Sequence, residues 1–177
     1  MPALRRDAAR NRERILTAAR ALQEAGETPQ LNAVARRAEV GVGTVYRHFP
    51  TPEALAEGLV ADRFAALAEA AADAALDPDA LQALRTFLAE ALRAYADDPA
   101  FAAATVATAP VLDETRVLRA DLHRAFADLV DRAAPLLRPG LDATDVLILV
   151  CGLAYSVRLR PAKAVDYLDA LLSGVLR

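Results

Sequence analysis

The chain is poor in the residues that carry most chemistry. It has one cysteine, two histidines and seven glycines. Cys151 alone cannot close an intrachain disulfide, so a reduced, cytoplasmic protein is expected. The most apolar segment, residues 146–157, falls well short of the ~18–20 apolar residues that a spanning helix needs. The N-terminal Met-Pro-Ala-Leu-Arg-Arg-Asp has no apolar signal-peptide core. His48 and His123 are far apart in sequence, and Cys151 has no Cys or His beside it, which argues against a metal site. Neither a Gly-rich phosphate loop nor a Ser-nucleophile elbow is present, so neither an enzyme nor a bound cofactor is expected. Asp97-Asp98 and Asp113-Glu114 read as helix caps and first-turn acids, not as a general acid and base.

What the chain does have is alanine. Its hydrophobic fraction is 55% over 177 residues, and much of that is Ala, a strong helix former that buries little area. This argues for an all-α fold with close helix contacts, as one large domain or two small ones. Charge is divided unevenly. Residues 1–50 hold nine arginines against five acids, a net of +4, which leaves −7 for the rest of a chain whose total is −3. A basic head on an acidic body is what a protein shows when one end meets phosphate, although the same asymmetry also occurs by chance on solvated surfaces.

About nine helices are predicted. Residues 1–8 read as a basic tail, and Ile15, Leu16, Ala18, Ala19 and Leu22 give helical spacing over 9–25, stopped by Gly26. Thr28-Pro29 pairs a cap with a first-turn proline ahead of a helix over 31–38. A tight turn at 39–41 leads to a very short helix over 43–49, stopped by Pro50. Thr51-Pro52-Glu53 is a start signal for a fourth helix over 52–76, in which Gly58 is a modest weakness. Further helices are expected over 80–96, to about 108, over 112–137, over 142–157 (apolar nearly all round) and over 162–175. On the last of these, Val165, Leu168, Leu171, Leu172 and Val175 form the apolar side.

The stretch 40–49 stands apart from the rest. A seven-residue helix cannot hold itself together, because nucleation is costly, so Val45 and Phe49 must pack it onto its neighbours. Thr44, Arg47 and His48 then face outward, with Tyr46 at the rim. Two helices joined by a short glycine-containing turn make a helix-turn-helix. Residues 34–49, Val-Ala-Arg-Arg-Ala-Glu-Val-Gly-Val-Gly-Thr-Val-Tyr-Arg-His-Phe, resemble the DNA-binding signature of TetR-type transcriptional regulators. Two departures stand out. Gly41 takes the place of a frequent capping Ser, and Pro52 that of a frequent phosphate-binding Lys, although backbone N–H groups at that helix start could still serve phosphate.

The resemblance implies a DNA-binding head over 1–50 and an effector-binding and dimerisation body over 51–177, with the fourth helix as connector. It implies that Val42, Gly43, Thr44, Tyr46, Arg47 and His48, with Asn32 on the second helix, meet DNA. Arg47 would reach a guanine, Thr44 a base edge or thymine methyl, and Tyr46 and His48 phosphate. Tyr46 and His48 could instead simply pack the head. Arg5, Arg6, Arg10 and Arg12 form a basic arm that tracks backbone or minor groove, or a solvated tail. The implied partners are a double-stranded operator, a small-molecule effector and a second copy paired through the last two helices, with no membrane. Phe64, Leu67, Leu88, Leu92, Tyr95, Phe101, Phe126 and Tyr155 are expected on inward faces, as the wall of an effector pocket or as plain core. His123 reads as a surface or boundary residue and Cys151 as a small core residue. A helical interaction module, or a regulator of this fold without an effector, is the alternative.

Overall fold

A computed structural model describes the backbone of residues 2–176 and the side chains of residues 6–176 other than Leu136. Arg5, counted with the basic arm, lies outside the described side chains. The described residues form nine α-helices and two single 3-10 turns, with no strand among them. Contacts divide the chain into two compact units, one up to Val60 and one from Ala61 onward.

The first unit holds α1 (Pro2–Glu24), α2 (Leu31–Arg37), α3 (Val42–His48) and the start of α4 (Pro52–Ala74). Helix α1 begins at Pro2, not near residue 9, so Arg6 and Arg10 stand on a helix rather than on a tail. The reason is compositional. Ala and Arg are strong helix formers, and proline suits a first helical position, but neither leaves an apolar stripe for periodicity to find. The helix closes in a Schellman arrangement: Gly26, at φ 77°, donates to the Gln23 carbonyl and Glu27 to the Leu22 carbonyl. Thr28-Pro29 is not the cap of α2. That helix starts after Gln30, without a side-chain cap, because the Thr28 carbonyl instead accepts from the Gln30 N–H and makes a turn. Ile15, Ala19, Val34, Ala35, Val45, Phe49 and Leu55 form the core of this unit.

The second unit holds the remainder of α4, then α5 (Ala80–Asp97), α6 (Pro99–Val106), α7 (Asp113–Ala133), α8 (Ala143–Leu159) and α9 (Ala164–Val175). Acids cap its helices. Asp79 accepts from the Gln82 N–H, Asp98 from the Ala100 and Phe101 N–H groups, and Asp142 and Asp145 exchange bonds in a capping box. Asp98 also meets Arg63 of α4 at 3.1 Å. Arg132 of α7 donates to the Ala75 and Asp77 carbonyls, supplying acceptor groups just past α4 with the donors they lack. Helix α8 packs on α5, α6, α7 and α9, as its continuous apolar sequence requires. Phe64 meets Phe101 edge-on at 4.8 Å, Tyr95 lies 5.1 Å from Phe101, and Phe87 stacks on Phe126 at 5.2 Å. The Arg138 N–H donates to the Val175 carbonyl and ties the end of α9 down. No helix among the described residues is long and apolar enough to cross a membrane.

Candidate nucleic-acid interface

Helix α3 buries one residue of its own, Val45, and the buried Phe49 follows at its C-cap. Four residues apart, these two lie on one side, so Gly43 and Arg47 fall on the other, with Thr44 and Tyr46 on the flanks. Val42, Gly43, Tyr46 and Arg47 are exposed, Thr44 and His48 are half-buried, and Asn32 is exposed on α2. The face thus presents a phenol, a guanidinium, a hydroxyl and an imidazole within two turns, on a helix narrow enough to enter a major groove.

The side chains on this face are already engaged. Arg47 folds back along its helix, donating from Nε to the Gly43 carbonyl at 3.2 Å and from Nη2 to the Thr44 hydroxyl at 3.1 Å. Burial, then the Arg12 and Arg47 charges, hold the His48 imidazole below its ordinary pKa of 6.5. It is therefore neutral at pH 7, a hydrogen-bonding group and not a cation.

Three contacts hold α3 in place, and none is visible in its own sequence. The Arg12 guanidinium lies 5.5 Å over the Phe49 ring. Arg14 donates to the Glu39 carbonyl at 3.3 Å and pairs with its carboxylate at 3.8 Å, stapling the one non-glycine residue recorded at positive φ (52°) among those described. Gly58 of α4 is closest of all. A Cβ there would stand 2.5 Å from a Phe49 ring carbon and 3.3 Å from Leu16. Gly58 is thus the site of a close helix approach and not merely a weak point of α4. The signal was a glycine inside a strong helix pattern, which points to packing when no turn is near.

The start of α4 offers no spare donor. Pro52 has no N–H, Ala54 donates to the Thr51 hydroxyl and Leu55 to the Thr51 carbonyl. The Glu53 carboxylate accepts from its own backbone and from Thr51, which holds its pKa below the usual carboxylate value. This terminus therefore caps itself and adds a negative charge.

In the second unit, seven of the eight residues expected to wall a pocket are almost wholly buried. Phe64 and Tyr95 each meet the Phe101 ring, Phe126 stacks on Phe87, and Leu67 and Leu88 are core. Leu92 borders a groove of about 260 Å³ with Val157, Pro161, Val165 and Leu168. Tyr155 is a correction. It is 63% exposed because α8 buries Val146, Leu147, Val150, Ala154 and Val157, which turns Ile148, Tyr155 and Leu159 to the opposite side. Val165 is likewise 67% exposed, outside the Leu168–Leu172–Val175 face that α9 buries. Cys151 is half-buried, with its thiol pushed up to about 12 by burial, and so is unreactive.

The model of the bacterial regulatory proteins of the tetR family matches residues 15–59, the segment that contains Val45, Phe49 and Gly58. The TetR transcriptional regulator SCO0520 from Streptomyces coelicolor is 30% identical, over 93% of this chain and 98% of its own, with a TM-score of 0.57. NalD, the secondary repressor of the MexAB-OprM multidrug efflux pump in Pseudomonas aeruginosa, shares the fold at 22% identity (97% and 98% covered, TM-score 0.57). The regulator FadR from Bacillus subtilis, solved with stearoyl-CoA, shares it at 18% identity (92% and 98% covered, TM-score 0.60). No curated protein matches the sequence.

Proposed function

The chain belongs to the TetR family of bacterial regulatory proteins, and on that premise we propose that it is a cytoplasmic repressor, released from its operator by a small-molecule effector. One observation carries the DNA reading. Helix α3 buries only Val45 and turns Val42, Tyr46 and Arg47 to solvent, an expenditure of apolar and aromatic surface that no packing within the unit explains. Arg47 and Thr44 read base edges, while Tyr46 and neutral His48 set register on phosphate oxygens. With Pro52 in place of a lysine and α4 self-capped, these two and the arginines of α1 supply the backbone grip.

A second copy pairs through the outward side of α8 and the neighbouring part of α9. Ile148, Leu149, Tyr155 and Leu159 on α8 and Val165 on α9 are all substantially exposed in the single chain, more apolar surface than one end of a small monomer usually shows. A two-fold pair presents two α3 helices to half-sites about one DNA turn apart, so the operator is pseudo-palindromic. NalD is described as a repressor and FadR was solved with an acyl-CoA, which makes an effector-released repressor the natural reading here. Selection of bound duplexes from a random pool, at stated salt, tests the proposal. A two-fold symmetric consensus supports it, and the absence of any enriched sequence counts against it.

A further inference from the structure

We propose that a cavity between α6, α7 and α8 is a binding site for a small organic anion, one with a carboxylate head and an apolar body of roughly ten non-hydrogen atoms. The inference rests on the effector-responsive reading above and names the effector's chemistry. The cavity measures about 180 Å³, smaller than the ~300–1,000 Å³ that takes drug-sized ligands. Leu147 and Ile148 of α8 supply its apolar side, and Thr105, Thr144, Arg119 and His123 its polar side. Helices α6 and α8 contribute one of these polar groups each and α7 two, so they converge from three elements.

Two features set the sign of the charge. No carboxylate borders the cavity, and Arg119 has no acidic partner among the described residues. Arg119 donates to the Ala107 carbonyl, just beyond the end of α6, and has further N–H groups on the same planar fork to offer an anion. His123 Nε2 is shielded from solvent and has no hydrogen-bond partner among the described residues. A buried polar atom left without a partner is uncommon, and this one belongs to a side chain that borders the cavity. Thr105, buried in α6, spends its own hydrogen on the Phe101 carbonyl at 2.9 Å and lies against the Tyr95 phenol. Burial and the Arg119 charge both lower the His123 pKa, so the imidazole is neutral and Arg119 supplies the positive charge.

The position also bears on regulation. Helix α6 ends at the cavity, while its first turn is capped by Asp98, which holds Arg63 of α4. A ligand that engages Arg119 acts on the contact that fixes the far end of this eight-residue helix.

The test uses the full chain with two probes of nearly equal shape, benzoate and benzamide, titrated calorimetrically. Benzoate is expected to bind saturably below about 10 mM, and benzamide at least about tenfold more weakly. Arg119→Gln keeps an N–H for the Ala107 carbonyl but removes the charge, and should weaken benzoate by about tenfold or more. Thr108→Trp fills the cavity from its exposed rim, outside the α8 face assigned to the second copy, and should abolish binding of both probes. No benzoate binding, equal affinity for the two probes, or benzoate binding untouched by either substitution each overturns the site. Operator binding by the same samples separates the two readings. A chain that binds DNA and not benzoate loses this inference alone, whereas one that binds benzoate and no DNA keeps the site and loses the repressor reading.

Discussion

The two units are held together by different means. The first is small and depends on a few specific contacts: Gly58 against Phe49, Arg12 over the same ring, and Arg14 on the Glu39 carbonyl. The second has a broad aromatic and aliphatic core in which α8 touches four neighbours. The difference teaches where selection of a single side chain matters. A reading helix that keeps its polar face free has only one side left for packing, so each contact there carries a large share of its stability. A helix buried on most sides distributes the same load.

Phe49→Ala is the hardest blow to that contrast. Removing a fully buried phenyl ring costs about 3–5 kcal/mol, through lost transfer energy and a cavity. It also removes the surface beneath Arg12 and beside Gly58. Denaturant titration should show the loss, with operator binding abolished. A similar truncation in the other unit, Leu88→Ala, is expected to leave operator binding measurable. If both variants lose DNA equally at matched stability loss, the contrast between the units is wrong.

Arg47→Ala comes next, and it acts on binding rather than on stability. Loss of a bidentate base contact costs about 1–3 kcal/mol and relaxes the preference at one operator position. Because Arg47 is folded onto the Thr44 hydroxyl, Thr44→Val should produce part of the same relaxation by releasing the guanidinium. The two effects should therefore be less than additive, as a double-mutant cycle will show. Tyr46→Phe, in contrast, should weaken all sequences alike.

Gly58→Ala is smaller, because two terms oppose. The new methyl group collides with the Phe49 ring, at a cost of about 1–3 kcal/mol, while alanine recovers up to about 1 kcal/mol of helix propensity. The net is expected to be destabilising, and the sign decides the point. A thermal midpoint that rises would mean that the ring yields freely and that Gly58 is only a flexible spot. Gly174, where a Cβ meets nothing within 4 Å, is the control and should gain from the same change.

How much of this was legible depends on the range over which the chemistry acts. All-α architecture, the sequence of nine helices and the family were readable, because Ala content, Pro stops and the 34–49 motif act locally. Val45 and Phe49 were readable as the anchors of α3 from their spacing alone. Gly58 was not, since its meaning comes from a ring nine residues earlier. Nor was the start of α1, where arginines and alanines carry no apolar stripe. Tyr155 was misplaced inward because α8 is apolar on nearly every side, and only its neighbours decide which side is covered. His123 sits beside the Leu122 core face and looks like a boundary residue until Thr105 and Thr144 are seen beside the same cavity.

Acidification touches both units, through one histidine in each. The pKa values of His48 and His123 both lie below their ordinary 6.5, first through burial and then through nearby arginines. Between that value and the lowered one, the unfolded chain binds more protons than the folded chain, so stability falls as pH falls. The benefit of keeping the imidazoles neutral is full above pH 6.5 and is lost as the pH drops through the folded values. Thermal midpoints should decline modestly from pH 7 toward 5, above the range in which ordinary carboxylates titrate. His48→Gln and His123→Gln should each remove part of the slope, and an unchanged slope in both would assign it to other groups.

Gly41→Ser is the smallest effect and the most informative about the motif. Gly41 is the N-cap of α3 at φ −63° and ψ 140°, a backbone open to any residue, so glycine is not required there by conformation. A Cβ would meet only the Thr44 hydroxyl, at 3.8 Å, so there is room for serine. The present cap makes no side-chain bond, and a serine hydroxyl could accept from a first-turn N–H. Stability should rise by a few tenths of a kcal/mol, since glycine is already a tolerable cap. A hydroxyl placed beside Thr44 could also compete for the Arg47 guanidinium, which donates to Thr44 Oγ1. The affinity for the operator then separates two roles for glycine. If stability rises and operator affinity is unchanged, Gly41 is merely a weaker cap. If stability rises while sequence preference shifts at the Arg47 position, the absence of a cap is what leaves Thr44 free to aim the reading arginine.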